Sequence, residues 1–349
     1  MKKIVIKVGS SLIAPSCNID KNFISKIVKE ILDVEKLGYK TVLVSSGAIA
    51  FGLNKLGYRE KPQDKYTLMS IASIGQVLLM DSYIEEFSKY NKLCAQILLT
   101  WEDFDDRRRF LNLKSTIEKL LNFGVIPIVN ENDAISFDEI KFGDNDRLSA
   151  LVADSISAEI LIILSDVEGL IDKENRLINV VPFMDSKILN LAREKRSSLT
   201  SGGMKTKLEA AKIATNSGII TVITCGYIDN VILKILNKEN IGTTFLAQKN
   251  IDKAKKRWIA FSKRAKGKIY IDDGAKDAIL NKNKSLLCAG IIKIEGEFQK
   301  KDSVCVLDKE GNLLGCGLVN YSSLELKEFK NKKFEQELIN RDNFVVLKV

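Results

Sequence analysis

Histidine is absent from all 349 residues of the chain. That excludes Ser-His-Asp and Cys-His nucleophilic catalysis, histidine-ligated metal centres and the H-R-D loop of protein kinases, leaving lysine, carboxylate, amide, hydroxyl and backbone groups for any chemistry. Cysteine is sparse and scattered. Cys17, Cys94, Cys225, Cys288, Cys305 and Cys316 form no C-x-x-C pair, which argues against zinc clips and disulfide frameworks and suits a reducing cytoplasm. No run approaches the roughly 18 uninterrupted apolar residues of a membrane span, and the amino-terminal MKKIVIKVGSSL turns polar after one short strand, so neither signal peptide nor anchor is expected. The phosphate fingerprints G-x-x-x-x-G-K-[ST] and G-x-G-x-x-G are both missing, so a nucleotide has to be held some other way.

What is present is an ordinary globular composition, 45% hydrophobic and 28% charged, in a chain long enough for about two domains. The formal net charge of +9 favours anionic partners, although lysine-rich composition throughout the chain produces such a value by itself. Apolar runs at Ile4 to Val8, Thr41 to Val44, Ala95 to Thr100, Val125 to Val129, Ile160 to Leu164 and Ile219 to Thr224 read as strands. Between them, helical periodicity runs over Phe23 to Leu32, about Leu68 to Tyr90, Ser115 to Leu121 and Met204 to Ser217, with DDRRRF read as a turn. Such alternation predicts an α/β fold, a mostly parallel sheet sandwiched by helices. After Phe245 the pattern breaks at a basic stretch, and short glycine-separated strands follow at Lys268 to Ile271, Ile291 to Glu295, Ser303 to Leu307 and Leu313 to Val319. The expected division is therefore a domain over residues 1–250, a basic linker over 251–265 and a small β-rich domain over 266–349.

Polar clusters gather where strands end. Lys7 and the small residues after it close the first strand, and Ser45, Ser46 and Gly47 close the second, where backbone N–H groups can point at an anion. The apolar run ending at Val129 turns abruptly into Asn130, Glu131, Asn132 and Asp133, and Asp144, Asn145 and Asp146 open a helix shortly afterwards. Ligands bind beyond the carboxyl ends of strands in open α/β sheets, so both clusters are expected to face one crevice. Either alone reads equally well as a turn or a helix cap. Two stretches suit a nucleotide: Ser165 and Asp166 at a strand end, and Ser201, Gly202, Gly203, Met204, Lys205, Thr206 and Lys207, a glycine pair feeding a helix amino terminus with a lysine one turn in.

The segments KVGSSL, VSSGAIAFG, DFDDRRRFLN, IPIVNENDA, FGDNDRLSALVA, LSDVEGL and SGGMKTKLEAA stand in the order and at the spacing of the amino-acid kinase family. The NEND and FGDND pair resembles the glutamate-phosphorylating branch of that family more than its aspartokinase-like or uridylate kinase-like members. KRWIAF, IDDGA, AGI and GLVNYSS resemble the linker and PUA domain of the long form, so the resemblance covers essentially the whole chain. One departure is LIDKENRL, which stands where a sequence nearer LYTADPR is the family pattern, on the adenine side.

The resemblance implies transfer of the γ-phosphoryl of ATP, with Mg²⁺, to the side-chain carboxylate of L-glutamate, the first step of proline synthesis. It implies Lys7 and Lys207 on the phosphates, Ser201 to Thr206 as an amide cradle, Ser165 and Asp166 on the nucleotide, and Ser46, Asp133 and Asn145 on glutamate. Asp144 or Asp146 would hold a lysine or the metal, with the choice between them open. It also implies a homo-oligomer, dimer or tetramer, in the cytoplasm, with no membrane, and handover of a labile product to the next enzyme. Two other readings are an RNA-binding PUA protein with a vestigial kinase domain and a superfamily kinase for another small carboxylate or carbamate.

Overall fold

A computed structural model describes residues 2–136, 145–191, 203–248, 254–259, 263, 265–327 and 337–347. The chain divides into two compact units, Met1–Asp103 with Arg107–Asn250, and Ile251–Val349 with Phe104–Asp106. The first is built on an eight-stranded sheet of order β3-β4-β2-β1-β5-β7-β8-β6, comprising β1 (Lys3–Val8), β2 (Lys40–Ser45), β3 (Cys94–Leu99), β4 (Ile126–Glu131), β5 (Ile160–Ser165), β6 (Val180–Val181), β7 (Ile220–Cys225) and β8 (Thr243–Phe245). Every pairing is parallel except β7 with β8. The central strands are buried on both faces, as a parallel sheet between helices requires, and their near-continuous apolar runs reflect it.

Strand alternation decides where the chemistry lies. On β1, Ile4, Ile6 and Val8 join the core cluster formed with the Lys21–Lys36 helix, and Ile162 and Leu164 of β5 join the same cluster. Successive side chains point to opposite faces, so Lys7 lies on the other face, where the Asn145–Ser155 helix packs against β1, β2, β4 and β5.

The Lys65–Ser88 helix is, by length and composition, apolar enough to cross a membrane, and among the described residues no other helix is. Its Leu79, Met80, Tyr83 and Phe87 belong to the core of the unit, which explains the hydropathy of that face. The helix also presses backbone to backbone on the Ala48–Leu56 helix. A Cβ on Gly75 would meet the Ala48 carbonyl oxygen at 1.8 Å, and one on Gly52 would meet the Ile71 carbonyl oxygen at 2.0 Å. Only glycine permits this approach, and it fixes the long helix against the turn after β2.

The DDRRRF stretch is helical from Arg107, correcting the turn expected there, and the helix runs to Asn122. Arginine is a good helix former, and Phe110, Leu113, Ile117 and Leu121 supply a buried stripe that carries the periodicity back past residue 115. Ahead of it Trp101–Asp105 is a short helix, at whose start Asp103 accepts hydrogen bonds from the Thr100 backbone and hydroxyl and pairs with Arg109.

The second unit holds a five-stranded sheet of order β10-β9-β11-β12-β13, comprising β9 (Ala265–Ile271), β10 (Ile291–Gly296), β11 (Ser303–Leu307), β12 (Leu313–Leu318) and β13 (Phe344–Val346). Only β9 with β11 is parallel. Its own core gathers Ile269, Ile271, Phe298, Val304, Val306, Leu338 and Phe344.

Candidate active site

Of the polar residues singled out from the sequence, Lys7, Ser46, Asn145, Asp146, Thr206 and Lys207 are brought together beyond the carboxyl ends of β1 and β2. At the centre is Asp146, the second residue of the Asn145–Ser155 helix and 1% exposed. Its Oδ1 lies 2.5 Å from Lys7 Nζ, its Oδ2 lies 3.3 Å from Lys207 Nζ, and its Oδ2 also accepts from Thr206 Oγ1 at 2.9 Å. Both lysines are themselves buried. Burial alone would push the Asp146 carboxyl upward, but the two ammonium groups outweigh it and hold the carboxyl below its ordinary value. Two cations thus converge on one carboxylate inside the protein, an excess of positive charge suited to a polyanion. Lys7 arrives from β1. Thr206 and Lys207 arrive from the first turn of the Met204–Asn216 helix, whose N-cap is Gly203, without a side-chain cap. The one hydrogen of the Thr206 hydroxyl is shared between Asp146 Oδ2 and the Gly203 carbonyl, the latter at 2.8 Å. First-turn amides of such a helix are available to an anion.

One residue before Asp146, Asn145 faces another set of partners. Its Nδ2 donates to Ser46 Oγ and to Asn130 Oδ1, each at 2.9 Å. Ser46 follows β2 directly, and its backbone N–H donates to the Val8 carbonyl at 3.2 Å, which ties the ends of β1 and β2 together. Gly47 then turns the chain into the next helix at φ +116, a conformation that disfavours any side chain. Asp133 lies in the turn after β4, half-buried. Burial raises its carboxyl to about 6, against the opposing pull of Lys61.

Ser165 ends β5 beside β1 and donates to its neighbour Asp166 at 3.0 Å; Asp166 is exposed. Lys205 is exposed and Met204 half-buried at the same helix start as Thr206. Asp144, Ser201 and Gly202 lie outside the described residues. The departing segment near residue 170 forms a hairpin, with Ile171 bridged to Leu177 and Asp172 accepting from the Glu174 and Arg176 backbones and from Arg176 Nε.

Two members of this constellation were not singled out for a role in the sequence. Asn130, 1% exposed, donates through Nδ2 to Gln76 Oε1 at 2.7 Å. Gln76 carries a legible signal, because it falls on the buried stripe of the Lys65–Ser88 helix with Leu68, Ala72, Leu79 and Tyr83, where an amide is costly unless bonded. Among the described residues no group of three or more Cys, Asp or Glu side chains is placed to hold a metal ion. Asp146 has both oxygens committed to cations.

Residues 2–225 match the model of the amino acid kinase family, and residues 267–340 match the PUA domain. The chain is 43% identical to the glutamate 5-kinase of Thermoanaerobacter sp. (strain X514), over 99% of this chain and 98% of that one. It is 43% identical to the glutamate 5-kinase of Methanosarcina barkeri, over 95% and 90%, and 39% identical to that of Nitrosomonas eutropha, over 99% and 98%. Among solved structures, carbamate kinase from Giardia lamblia bound to AMP-PNP superposes with a TM-score of 0.50 at 20% identity, over 71% of this chain and 99% of that one. At that identity the likeness speaks for the fold of the first unit.

Proposed function

Since the chain belongs to the amino acid kinase family, and within it to the glutamate 5-kinases, we propose that it transfers the γ-phosphoryl group of ATP to the side-chain carboxylate of L-glutamate. The observation that carries this reading is the full-length similarity to glutamate 5-kinases. The geometry supports it with two adjoining half-sites, Asn145 with Ser46 on one side and Asp146 with two buried lysines on the other.

The acceptor needs no general base. A glutamate carboxylate with a pKa near ~4.3 is ionised at neutral pH, so the absence of histidine costs the reaction nothing. What the reaction needs is neutralisation of an anionic nucleophile and a polyphosphate that repel each other. Lys7 and Lys207 supply fixed positive charge, Asp146 holds both ammonium groups in place, and Gly203, Met204, Lys205 and Thr206 present a helix start to the phosphates. Ser165 and Asp166 lie on the nucleotide side. Ser46, Asn145 and Asp133 form the glutamate side, with the Asp133 carboxylate opposite the substrate ammonium. Mg²⁺ would enter with ATP and supply further positive charge to the phosphates; of the two aspartates considered for it, Asp146 is committed to the two lysines and Asp144 lies outside the described residues. The product, an acyl phosphate, is labile, which favours a homo-oligomer that hands it to the next enzyme in the cytoplasm. An RNA-binding reading has less support, because a vestigial kinase would have no need of an intact Lys7, Asp146 and Lys207 cluster.

An acceptor panel tests this reading. ADP release is expected with L-glutamate and at background rates with L-aspartate, carbamate or no acceptor; equal rates with all four would sink it.

The role given to Asp133 has a kinetic and a pH signature. A carboxylate facing the ammonium in ground state and transition state alike provides uniform binding, so Asp133→Asn should raise KM for glutamate about ten-fold to a hundred-fold, the loss of one charge-assisted hydrogen bond, with little change in kcat or in KM for ATP. In the free protein this carboxyl titrates at about 6. It is ionised above that pH and neutral below it, so the wild-type KM for glutamate should climb as pH falls from 7 to 5, while the glutamate side chain itself stays ionised. The Asp133→Asn variant should show no such climb. A raised KM for ATP with an intact KM for glutamate would place Asp133 on the nucleotide side.

A further inference from the structure

Three side-chain amides link the glutamate side to the interior, and one backbone group sets the orientation of all three. An asparagine or glutamine amide can be turned end for end with little change in shape, so its orientation has to come from partners of unambiguous polarity. The backbone N–H of Glu131 can only donate, and it donates to Asn130 Oδ1 at 2.9 Å. Asn130 Nδ2 therefore points the other way and donates to Gln76 Oε1 at 2.7 Å. The second lone pair of Asn130 Oδ1 receives Asn145 Nδ2 at 2.9 Å, and that same Nδ2 donates to Ser46 Oγ at 2.9 Å. Both amide hydrogens of Asn145 are thereby used, and its Oδ1 is left as a buried acceptor with no partner among the described residues.

At the far end of this relay, Gln76 is 8% exposed and its buried Nε2 has no partner among the described residues. A side chain kept for packing alone would do better as an apolar residue of similar volume, which carries no unpaired N–H group. The carbonyl of Gln76 is what the position needs. Nor is the position adjustable, since the neighbouring Gly75 lies against Ala48, in the helix that follows Ser46.

Building on the acceptor assignment above, we propose that Gln76 is a positioning residue for the acceptor amino acid. Acting through Asn130, it holds the Asn145 amide with Nδ2 on Ser46 and with the carbonyl oxygen free to accept an N–H of the substrate ammonium. Losing Gln76 Oε1 leaves Asn130 held by the Glu131 N–H alone and able to swing about that bond, so Asn130 Oδ1 no longer fixes the Asn145 amide and its carbonyl oxygen is no longer held toward the ammonium. Ground-state and transition-state binding of the amino acid suffer together, and the phosphate side does not.

The test compares wild type with Gln76→Met, which removes the acceptor oxygen at similar volume, and Gln76→Glu, which keeps an oxygen there. Unfolding midpoints are measured first, and kinetics are taken well below the lowest. Gln76→Met is expected to raise KM for L-glutamate about ten-fold, as for one lost hydrogen bond, with kcat and KM for ATP changed by less than about three-fold; Gln76→Glu is expected to restore KM for glutamate to near wild type. An unchanged KM in Gln76→Met, a joint rise of both KM values, or a Gln76→Glu variant as impaired as Gln76→Met would each overturn the proposal. Absence of glutamate-dependent turnover in the wild type would instead fail the proposed function. The relay is then read by NMR: slow exchange of the Asn130 and Asn145 side-chain amide hydrogens in wild type and Gln76→Glu, fast exchange in Gln76→Met. Equal exchange in all three would overturn it.

Discussion

Asp146→Ala is expected to lower the unfolding midpoint by roughly 6–20 °C and kcat by about 10²-fold or more. The carboxylate is 1% exposed and is shared by Lys7 Nζ at 2.5 Å and Lys207 Nζ at 3.3 Å. Removing it leaves two buried ammonium groups facing each other without their shared counter-charge. Breaking a buried pair by deleting one partner costs about 3–5 kcal/mol, because the remaining charge stays desolvated. Total stabilities are about 5–15 kcal/mol, so the loss is a large share of the whole. The rate falls for a related reason. With Asp146 gone, mutual repulsion drives the lysines apart, and the positive charge that should meet the transferring phosphoryl group is no longer fixed in place. One further consequence separates this account from simple destabilisation. ATP phosphates can stand in for the missing carboxylate, so ATP should raise the unfolding midpoint of Asp146→Ala by more than it raises that of the wild type. Thermal unfolding with and without ATP checks this, and equal shifts would mean that Asp146 does not organise the phosphate side.

Lys207→Ala is expected to lower kcat by about 10²- to 10³-fold with KM for glutamate held within a few-fold. Lys207 is 4% exposed, on the first turn of the Met204–Asn216 helix, and reaches the same carboxylate as Lys7 from the opposite element. A fixed cation in a water-excluded site acts most on charge that develops during transfer, so its removal should appear in kcat more than in ground-state affinity. The stability cost should be smaller than for Asp146→Ala, since Asp146 keeps Lys7. Lys207→Arg should recover little of the rate, because a planar guanidinium cannot place its charge where a compact ammonium does. Steady-state kinetics decide the matter: an intact kcat with a raised KM for ATP would make Lys207 a ground-state anchor instead.

Much of this site could be read in the sequence because strand ends mark themselves chemically. Lys7, Ser46, Asn130 and Ser165 each follow or close an apolar run, and those runs are β1, β2, β4 and β5, neighbours in the sheet apart from minor differences at their ends. What sequence left open was the choice between Asp144 and Asp146. Spacing alone puts both at the start of one helix, and only the alternation on β1 together with the approach of the Met204–Asn216 helix brings Lys7 and Lys207 onto Asp146. Gln76 was missed because one amide on the buried face of a helix says nothing of its partner 54 positions away. Strands β6, β8 and β13 were missed for a different reason. With two or three residues each, they are too short to show a period, and pairing alone makes them strands.

The central claim is that the carboxylate of glutamate is phosphorylated, and trapping the product tests it most directly. With ATP, Mg²⁺, L-glutamate and hydroxylamine, the protein should form γ-glutamyl hydroxamate in step with ADP, and leaving out either glutamate or Mg²⁺ should abolish both. ADP released at the same rate with and without glutamate, with no hydroxamate formed, would contradict the assignment.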